Sequence, residues 1–409
     1  MRAQSEMKEQ SARATILVVD DAPINIMIIK GALKNEWQLL TAESGGQALE
    51  LARGTPRPDL ILLDIMMPGM DGHEVCRQLK ADPETRDIPV IFVTAMGDAV
   101  SEQQGLQLGA IDYMSKPIKP EILRVRVRNH IKLKLYQSAL EEARRRAAQD
   151  LEAAAVIQRT LLPPAPEALR ALALASEREP GAQFHWLFSP CEQVGGDLVS
   201  ITPWDQDHTL FYLLDVTGHG PQAAMITFAV AQFLQPSGHN RHTLPFLEPA
   251  AMIAALEKVF PMERFESFFT LIYGHFHHPS RTLTFCNAGQ PHPLLLEGEQ
   301  PPRPLNKGNG TLVGMDMNRD IVTEQLVLTD RQRVLFYTDG LLDILNPAGE
   351  RFGETAWPRR HPELVAAASA RSLVEKCKAM INEFHQGTPL PDDLTILAVS
   401  GLPGPLQAP

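Results

Sequence analysis

Residues 60–72 read Leu60-Ile61-Leu62-Leu63-Asp64-Ile65-Met66-Met67-Pro68-Gly69-Met70-Asp71-Gly72. A short apolar run ends on a carboxylate and passes into a loop marked by proline and glycine, the pattern of a buried strand that delivers an acid to a sheet edge. The figure repeats on both sides. Apolar strands are expected at Thr15–Val19, Trp37–Thr41, Leu60–Leu63, Val90–Thr94 and Ile111–Met114, with helical patterns at 24–34, 46–53, 71–80, 98–108 and from 119 onward. Strands alternating with helices give an α/β fold with a parallel sheet covered on both faces. Ligands of such sheets bind at the carboxyl ends of strands. Asp20 and Asp21 end the first strand, Asp64 the third and Thr94 the fourth, while Lys116 follows the fifth. All five converge on one edge.

That convergence has a chemical meaning. A carboxylate can act as nucleophile toward a phosphoryl donor. A divalent cation is then needed to neutralise charge on the transferring group. Asp64 is the candidate phosphoacceptor. Asp21 and Asp64 would hold Mg²⁺ directly, Asp20 through water, with a carbonyl from Met66; Thr94 and Lys116 would grip the phosphoryl oxygens. A second set of acids, Asp197, Asp215, Asp339 and Asp392, occupies glycine-marked loops and strand ends farther along the chain. Four carboxylates can hold two Mg²⁺ or Mn²⁺ ions, between which a water becomes hydroxide near neutral pH and attacks phosphorus.

A length of 409 residues calls for two or three domains. The net charge of −11 argues against a nucleic-acid surface, and no basic patch with interleaved aromatics is present. Cys76, Cys191, Cys286 and Cys377 are scattered, which fits reduced thiols better than a disulfide framework or a zinc site. No apolar run approaches the roughly 20 residues of a membrane span. A soluble, cytoplasmic protein with no membrane partner is expected. Tails are expected at 1–14 and 401–409, and the N-terminal fold at 15–131.

Residues 121–162 form one long helical pattern, with Leu133, Tyr136, Leu140, Ala143, Ala147, Leu151, Ala154, Ile157 and Leu161 at three- and four-residue steps. Glu141–Arg145 and Glu142–Arg146 are expected as i,i+4 pairs. The helix is either a rigid spacer or a coiled coil that dimerises; the near-heptad spacing favours the dimer. From 181 to 400 the chain is strand-rich, with strands expected at Phe184–Phe188, Leu210–Leu214, Phe269–Phe276, Thr282–Cys286, Ile321–Val327, Val334–Tyr337 and Thr395–Val399 and helices at 221–234, 249–259 and 371–385, an α/β sandwich of mostly antiparallel strands.

The N-terminal stretch resembles the receiver domain of two-component response regulators, through Asp20-Asp21, the Asp64–Gly72 segment, Thr94-Ala95 and Lys116-Pro117. The resemblance implies a flavodoxin-like fold with bound Mg²⁺, a sensor histidine kinase or phosphotransfer protein as partner, and a cis bond at Lys116-Pro117. Tyr113 is either that family's switch aromatic or a half-buried core residue.

Val194-Gly195-Gly196-Asp197, Asp215-Val216-Thr217-Gly218-His219-Gly220, Tyr337-Thr338-Asp339-Gly340 and Asp392-Asp393-Leu394-Thr395 occur in order. They resemble the metal-dependent PPM serine/threonine phosphatases in their SpoIIE/RsbU-type branch, as does the lead-in 155–163. By that resemblance Asp215 bridges two Mn²⁺ or Mg²⁺ ions, Val216 lends its carbonyl, and Asp197, Asp339 and Asp392 complete the ligands; Asp393 is the less favoured of its pair. His219 reads better as a loop residue at a helix start than as a general acid. Ser200 and Gln290 stand where the branch often has aspartate and histidine, and Asp343 reads as a polar helix-start residue.

The whole order is similar to that of RssB-type response regulators. Two functions follow from it. One is a phosphatase acting on a phosphorylated STAS-domain anti-sigma antagonist in a general-stress sigma pathway. The other is an adaptor that binds the stationary-phase sigma factor for proteolysis. Retention of all four carboxylates favours the enzyme.

Overall fold

The computed structural model describes residues 14–95, 107–164, 181–238, 240–307, 309–317 and 321–402. The chain divides into two compact units, Met1–Ala147 and Ala148–Pro409, described separately.

In the N-terminal unit, β1 (Thr15–Val19), β2 (Gln38–Ala42), β3 (Leu60–Asp64), β4 (Val90–Ala95) and β5 (Asp112–Lys116) form a parallel sheet in the order β2-β1-β3-β4-β5. The order reverses direction beside β1, so β1 and β3 open a crevice at their carboxyl ends. Alternation along each strand sends Ile16, Val18, Leu60 and Leu62 to one face and Leu17, Val19, Ile61 and Leu63 to the other. The first face is covered by α1 (Pro23–Leu33) and the start of α4 (Pro120–Leu161), through Leu123, Val127 and Ile131. The second is covered by α2 (Gly45–Arg53) and α3 (Gly72–Ala81). Both faces being buried, the central strands β1, β3 and β4 are nearly continuous apolar runs, whereas the edge strands β2 and β5 are mixed. Asp71 caps α3 by accepting from Glu74 N, which fixes where the loop after Asp64 ends. Most of the helix expected at 98–108 lies outside the described residues.

The long helix forms as expected, over Pro120–Leu161. One ion pair differs: Arg145 and Arg146 both bond Glu142, so Arg145 takes the i,i+3 acid in place of Glu141. Leu133, Tyr136 and Leu140 are exposed. Toward its end the helix packs inward, with Leu151, Ala154 and Ala155 against Val194 and Ala224.

The C-terminal unit is a sandwich. One sheet runs β12-β11-β15-β16-β6, from β12 (Arg303–Pro304), β11 (Leu294–Glu297), β15 (Gln332–Tyr337), β16 (Leu394–Gly401) and β6 (Ala182–Ser189). The other runs β13-β10-β9-β8-β7, from β13 (Asn309–Gly310), β10 (Thr282–Ala288), β9 (Phe269–His277), β8 (His208–Val216) and β7 (Leu198–Pro203), with β14 (Glu324–Val327) also on β10. All pairings but β10–β13 are antiparallel. Phe211, Leu213, Ile272 and Phe276 meet Val334, Phe336, Leu397 and Val399 between the sheets. The outer faces are covered by α5 (Pro221–Leu234) and α6 (Pro249–Val259) on one side and α7 (Ala370–His385) on the other. Pro221 is the first residue of α5, where its missing N–H costs nothing.

Two boundaries shift. Ala14 is buried in the N-terminal core and Gly401 ends β16, so neither belongs to a tail; residues 1–13 and 403–409 lie outside the described set. The strand expected at 321–327 begins at Glu324. Cys76, Cys286 and Cys377 are buried free thiols and Cys191 is half-buried. No helix of the described residues is long and apolar enough to cross a membrane.

Candidate functional sites

At the N-terminal crevice, Asp20 and Asp64 are buried at strand ends. Lys116 Nζ lies 2.8 Å from Asp20 Oδ2 and 2.9 Å from Asp64 Oδ2. Asp20 Oδ1 also accepts from Ala22 N and Asn25 Nδ2, and Asp64 Oδ1 from Ile65 N. Burial pushes the Asp64 carboxyl up, against Lys116, which pulls it down, and Asp20, which pushes it further. Burial alone would lower Lys116, but its bonds to Asp20 and Asp64 raise it. One ligand oxygen each from Asp20, Asp21 and Asp64 lies within 4.8 Å of the others. Three clustered acids, two of them paired with one ammonium, leave a net negative group of oxygen donors, so the donor set fits Mg²⁺. Thr94 is buried on β4. Met66 follows Asp64 in the loop with its side chain in solvent. Tyr113 is partly exposed, and the Lys116–Pro117 bond is cis.

In the C-terminal unit the second set converges from three loops and a strand. Asp215 lies at the end of β8, Asp339 after β15 and Asp392 before β16; Asp197 enters from the loop before β7. Burial, then Asp339 and Asp392, push the Asp215 carboxyl up to about 7. Asp339 shares a side-chain hydrogen bond with Asp215 and is itself raised, chiefly by burial. Burial also raises Asp392. None of the four is ion-paired with lysine or arginine among the described residues. Neighbouring carboxylates that raise one another with no cationic side chain beside them among the described residues fit a divalent centre, since the missing positive charge is what would let them ionise together.

Asp197 is almost fully buried, and its Oδ2 accepts from Thr395 Oγ1 (2.6 Å) and Thr338 Oγ1 (2.8 Å). These hydroxyls aim one oxygen and leave Oδ1 for a ligand. Val216 N reaches the Gly196 carbonyl at 3.4 Å, which ties the Asp215 strand end to the Asp197 loop.

Asp393 has a role the sequence reading did not give it. Its Oδ1 accepts from Cys191 N (2.8 Å) and its Oδ2 from Asp197 N (3.3 Å). A Cβ on Gly195 would sit 1.9 Å from Asp393 Oδ2, and one on Gly340 would sit 1.8 Å from the Asp393 carbonyl oxygen. Asp393 is thus a buried clamp on the Asp197 loop, and its neighbours must be glycine. Asp392, Asp393 and Cys191 bring one potential ligand atom each within 4.8 Å, whereas no three of Asp197, Asp215, Asp339 and Asp392 come that close among the described residues. Gly340→Ala is expected to cost about 3 kcal/mol or more through overpacking and to displace Asp392. Thermal melts and a Mn²⁺ titration of the variant check both effects.

Gln158, near the end of α4, was also missed. Its Nε2 donates to the Gly195 carbonyl (2.9 Å) and the Asp197 carbonyl (3.3 Å), and its Oε1 accepts from Gly195 N (3.2 Å). The signal was present: a glutamine one turn from Leu161 on an apolar helix face needs buried partners. Gln158→Leu leaves those backbone groups unpaired. The expected loss is about 1–3 kcal/mol, with weaker Mn²⁺ binding because the Asp197 loop loses its support. Melts with and without Mn²⁺ measure the two separately.

The remaining expectations resolve simply. His219 is exposed and pairs with Glu192 (2.9 Å) at the start of α5, which fits the loop reading. Asp343 ends a short helix, Gly340–Asp343, and pairs with Arg351; it does not start one. Ser200 lies on β7 with Thr202 as partner. Gln290 is buried with both amide atoms unpartnered, at a cleft of about 350 Å³ that Thr270, His292 and Asp339 also line.

Two family models match. Residues 16–128 match the response regulator receiver domain, and residues 205–401 match Stage II sporulation protein E, a segment that holds Asp215, Asp339 and Asp392. Protein PilH of Pseudomonas aeruginosa is 43% identical over 111 residues, 27% of this chain and 91% of PilH. Response regulator PleD of Caulobacter vibrioides is 46% identical over 136 residues, 33% of this chain. The chain spans 29% of PleD's length. The SiaA-PP2C domain of Pseudomonas aeruginosa shares the fold of the C-terminal unit, with a TM-score of 0.51 at 22% identity, covering 64% of this chain and 99% of that one. The chain belongs to the response regulators. Its receiver is joined to a SpoIIE-type PPM phosphatase domain.

Proposed function

We propose that the protein is a cytoplasmic response regulator whose receiver, phosphorylated on Asp64 by a histidine kinase or phosphotransfer protein, controls a metal-dependent serine/threonine phosphatase. The observation that carries the reading is that Asp339 and Asp392 lie near enough to Asp215 to raise its carboxyl, with Asp197 close by and held by two threonines. Asp215 would bridge two Mn²⁺ or Mg²⁺ ions, with Asp197, Asp339, Asp392 and the Val216 carbonyl as the other ligands. Bound there, the ions would supply a hydroxide nucleophile and neutralise the phosphoryl oxygens. Asp393, Gln158 and the threonines keep the ligand loops in place. In the receiver, Mg²⁺ would be held by Asp21, Asp64, water on Asp20 and the Met66 carbonyl, with Thr94 and Lys116 on the phosphoryl group.

The substrate is a seryl or threonyl phosphate on a STAS-domain anti-sigma antagonist, which places the protein in a sigma-factor pathway. The exposed Leu133, Tyr136 and Leu140 of α4 support a homodimer through that helix. The deciding experiment gives the purified chain Mn²⁺ and a phosphoserine STAS protein, with and without a phosphoryl mimic on Asp64. Metal-dependent phosphate release supports the reading. No release, together with tight sigma-factor binding, replaces it with the adaptor.

A further inference from the structure

The sheet that carries Asp215 at one end of β8 carries a group of histidines at the other. His208 opens β8, and the antiparallel register sets it directly opposite His277 on β9, with His275 two residues along the same face. The ring centroids of His208 and His277 are 4.7 Å apart, and those of His208 and His275 are 5.5 Å apart. Two imidazoles on one tetrahedral Zn²⁺, with Zn–N of about 2.0–2.1 Å, bring their centroids to roughly 5 Å. His208 sits between two partners at that spacing.

The hydrogen bonds favour ligation. Asp205 takes His208 Nδ1 at 3.0 and 3.1 Å, and its Oδ1 is itself fixed by the backbone N–H groups of Asp207 and His208. A carboxylate on one ring nitrogen orients the imidazole and leaves Nε2 to a metal. His277 Nδ1 lies 2.6 Å from Ser280 Oγ, which in turn meets Thr282 Oγ1, so its Nε2 is turned away from these partners. His275 is engaged by the Leu247 backbone through one nitrogen, and its Nδ1 is buried with no partner. Burial and the neighbouring rings keep His275 and His277 neutral at physiological pH, the form that binds a metal without first losing a proton. His278 differs: Gly181 N and Thr209 Oγ1 occupy both of its nitrogens, so it is structural.

We propose that His208 and His277, with Asp205 behind His208, bind one divalent transition-metal ion of the imidazole-preferring kind, Zn²⁺ or Cu²⁺; His275 stands beside the pair, but the three do not bring one ring nitrogen each within 4.8 Å of one another. The site is separate from the carboxylate centre. Seven residue steps along β8 separate His208 from Asp215, about 23 Å at ~3.3 Å per step.

The test is electron paramagnetic resonance of the full chain with one equivalent of Cu²⁺ and saturating Mg²⁺, which occupies the oxygen sites. The expected spectrum shows nitrogen superhyperfine coupling from at least two imidazoles, lost on adding Zn²⁺. His208→Ala abolishes it, His277→Asn reduces it to fewer nitrogens, and Asp205→Asn weakens Cu²⁺ binding by about 10–100-fold. His385→Ala, remote in sequence on α7, leaves it unchanged. Circular dichroism melts establish that each variant is folded, and His277→Asn decides the matter should His208→Ala not fold. Absence of nitrogen coupling at one equivalent overturns the proposal, as does coupling that persists in folded His208→Ala or His277→Asn. Because the readout is spectroscopic, it stands or falls independently of phosphatase activity.

Discussion

Asp215→Asn is expected to leave a folded protein with no metal-dependent phosphatase turnover, a fall of roughly 10³-fold or more in kcat. A bridging carboxylate that fails to hold its ions forfeits several kcal/mol of transition-state stabilisation, and each 1.36 kcal/mol is tenfold in rate. The variant should nonetheless be more stable than the parent without metal. Asp215 is raised by burial and by Asp339 and Asp392, and the amide removes that repulsion. The sign of the pH dependence follows. Folded Asp215 keeps its proton up to about 7, whereas the unfolded chain releases it near 3.8. The folded state therefore binds more protons across that window, and metal-free stability falls as pH rises from about 4 to about 7. Melts in EDTA should show the decline, added Mn²⁺ should reverse it above pH 7, and Asp215→Asn should flatten it. A melting temperature in EDTA that rises with pH through this range contradicts the crowded-carboxylate account.

Asp64→Asn is expected to abolish phosphoryl transfer to the receiver, with label from a small-molecule phosphodonor falling to background. The substitution should cost little stability. Lys116 retains Asp20 at 2.8 Å, and removing Asp64 takes away one of three clustered acids, two of which share a single ammonium. Because burial raises Asp64 in the folded state, its contribution is favourable at low pH and is lost as pH rises through its folded value. The variant should therefore match or exceed the parent's melting temperature at pH 8 without Mg²⁺. A large destabilisation would show that the Lys116–Asp64 bond holds the fold, not only the site.

Much of the architecture was legible because local signals agreed with one another. The five parallel strands lie within one or two residues of their expected positions, since apolar runs ending on Asp20, Asp64 and Thr94 admit few other readings. The four C-terminal acids were marked by glycine or by strand ends, places where backbone geometry is restrictive. The residues that hold those acids were not legible. Thr338 and Thr395 stand in the motifs with no role of their own, and Asp393 read as the less favoured member of a pair. Gln158, on an apolar helix face, signalled a need for buried partners, but the proline-rich break before Gly195 hid which groups they were. β7 and β11 went unassigned because their runs are short and lie beside turns.

The order of residues thus fixed where strands would end and which acids would stand at those ends, because burial periodicity and glycine placement act over a few residues. Only the folded chain could decide which oxygen of Asp197 is held by Thr338 and Thr395, that Asp393 grips backbone and not solvent, and that His208 meets His277 and His275. Those contacts join positions from 141 to 202 residues apart for the buried loop and 67 to 69 apart for the histidines. No local pattern encodes such pairings; they arise when sheet register and core packing bring distant segments together.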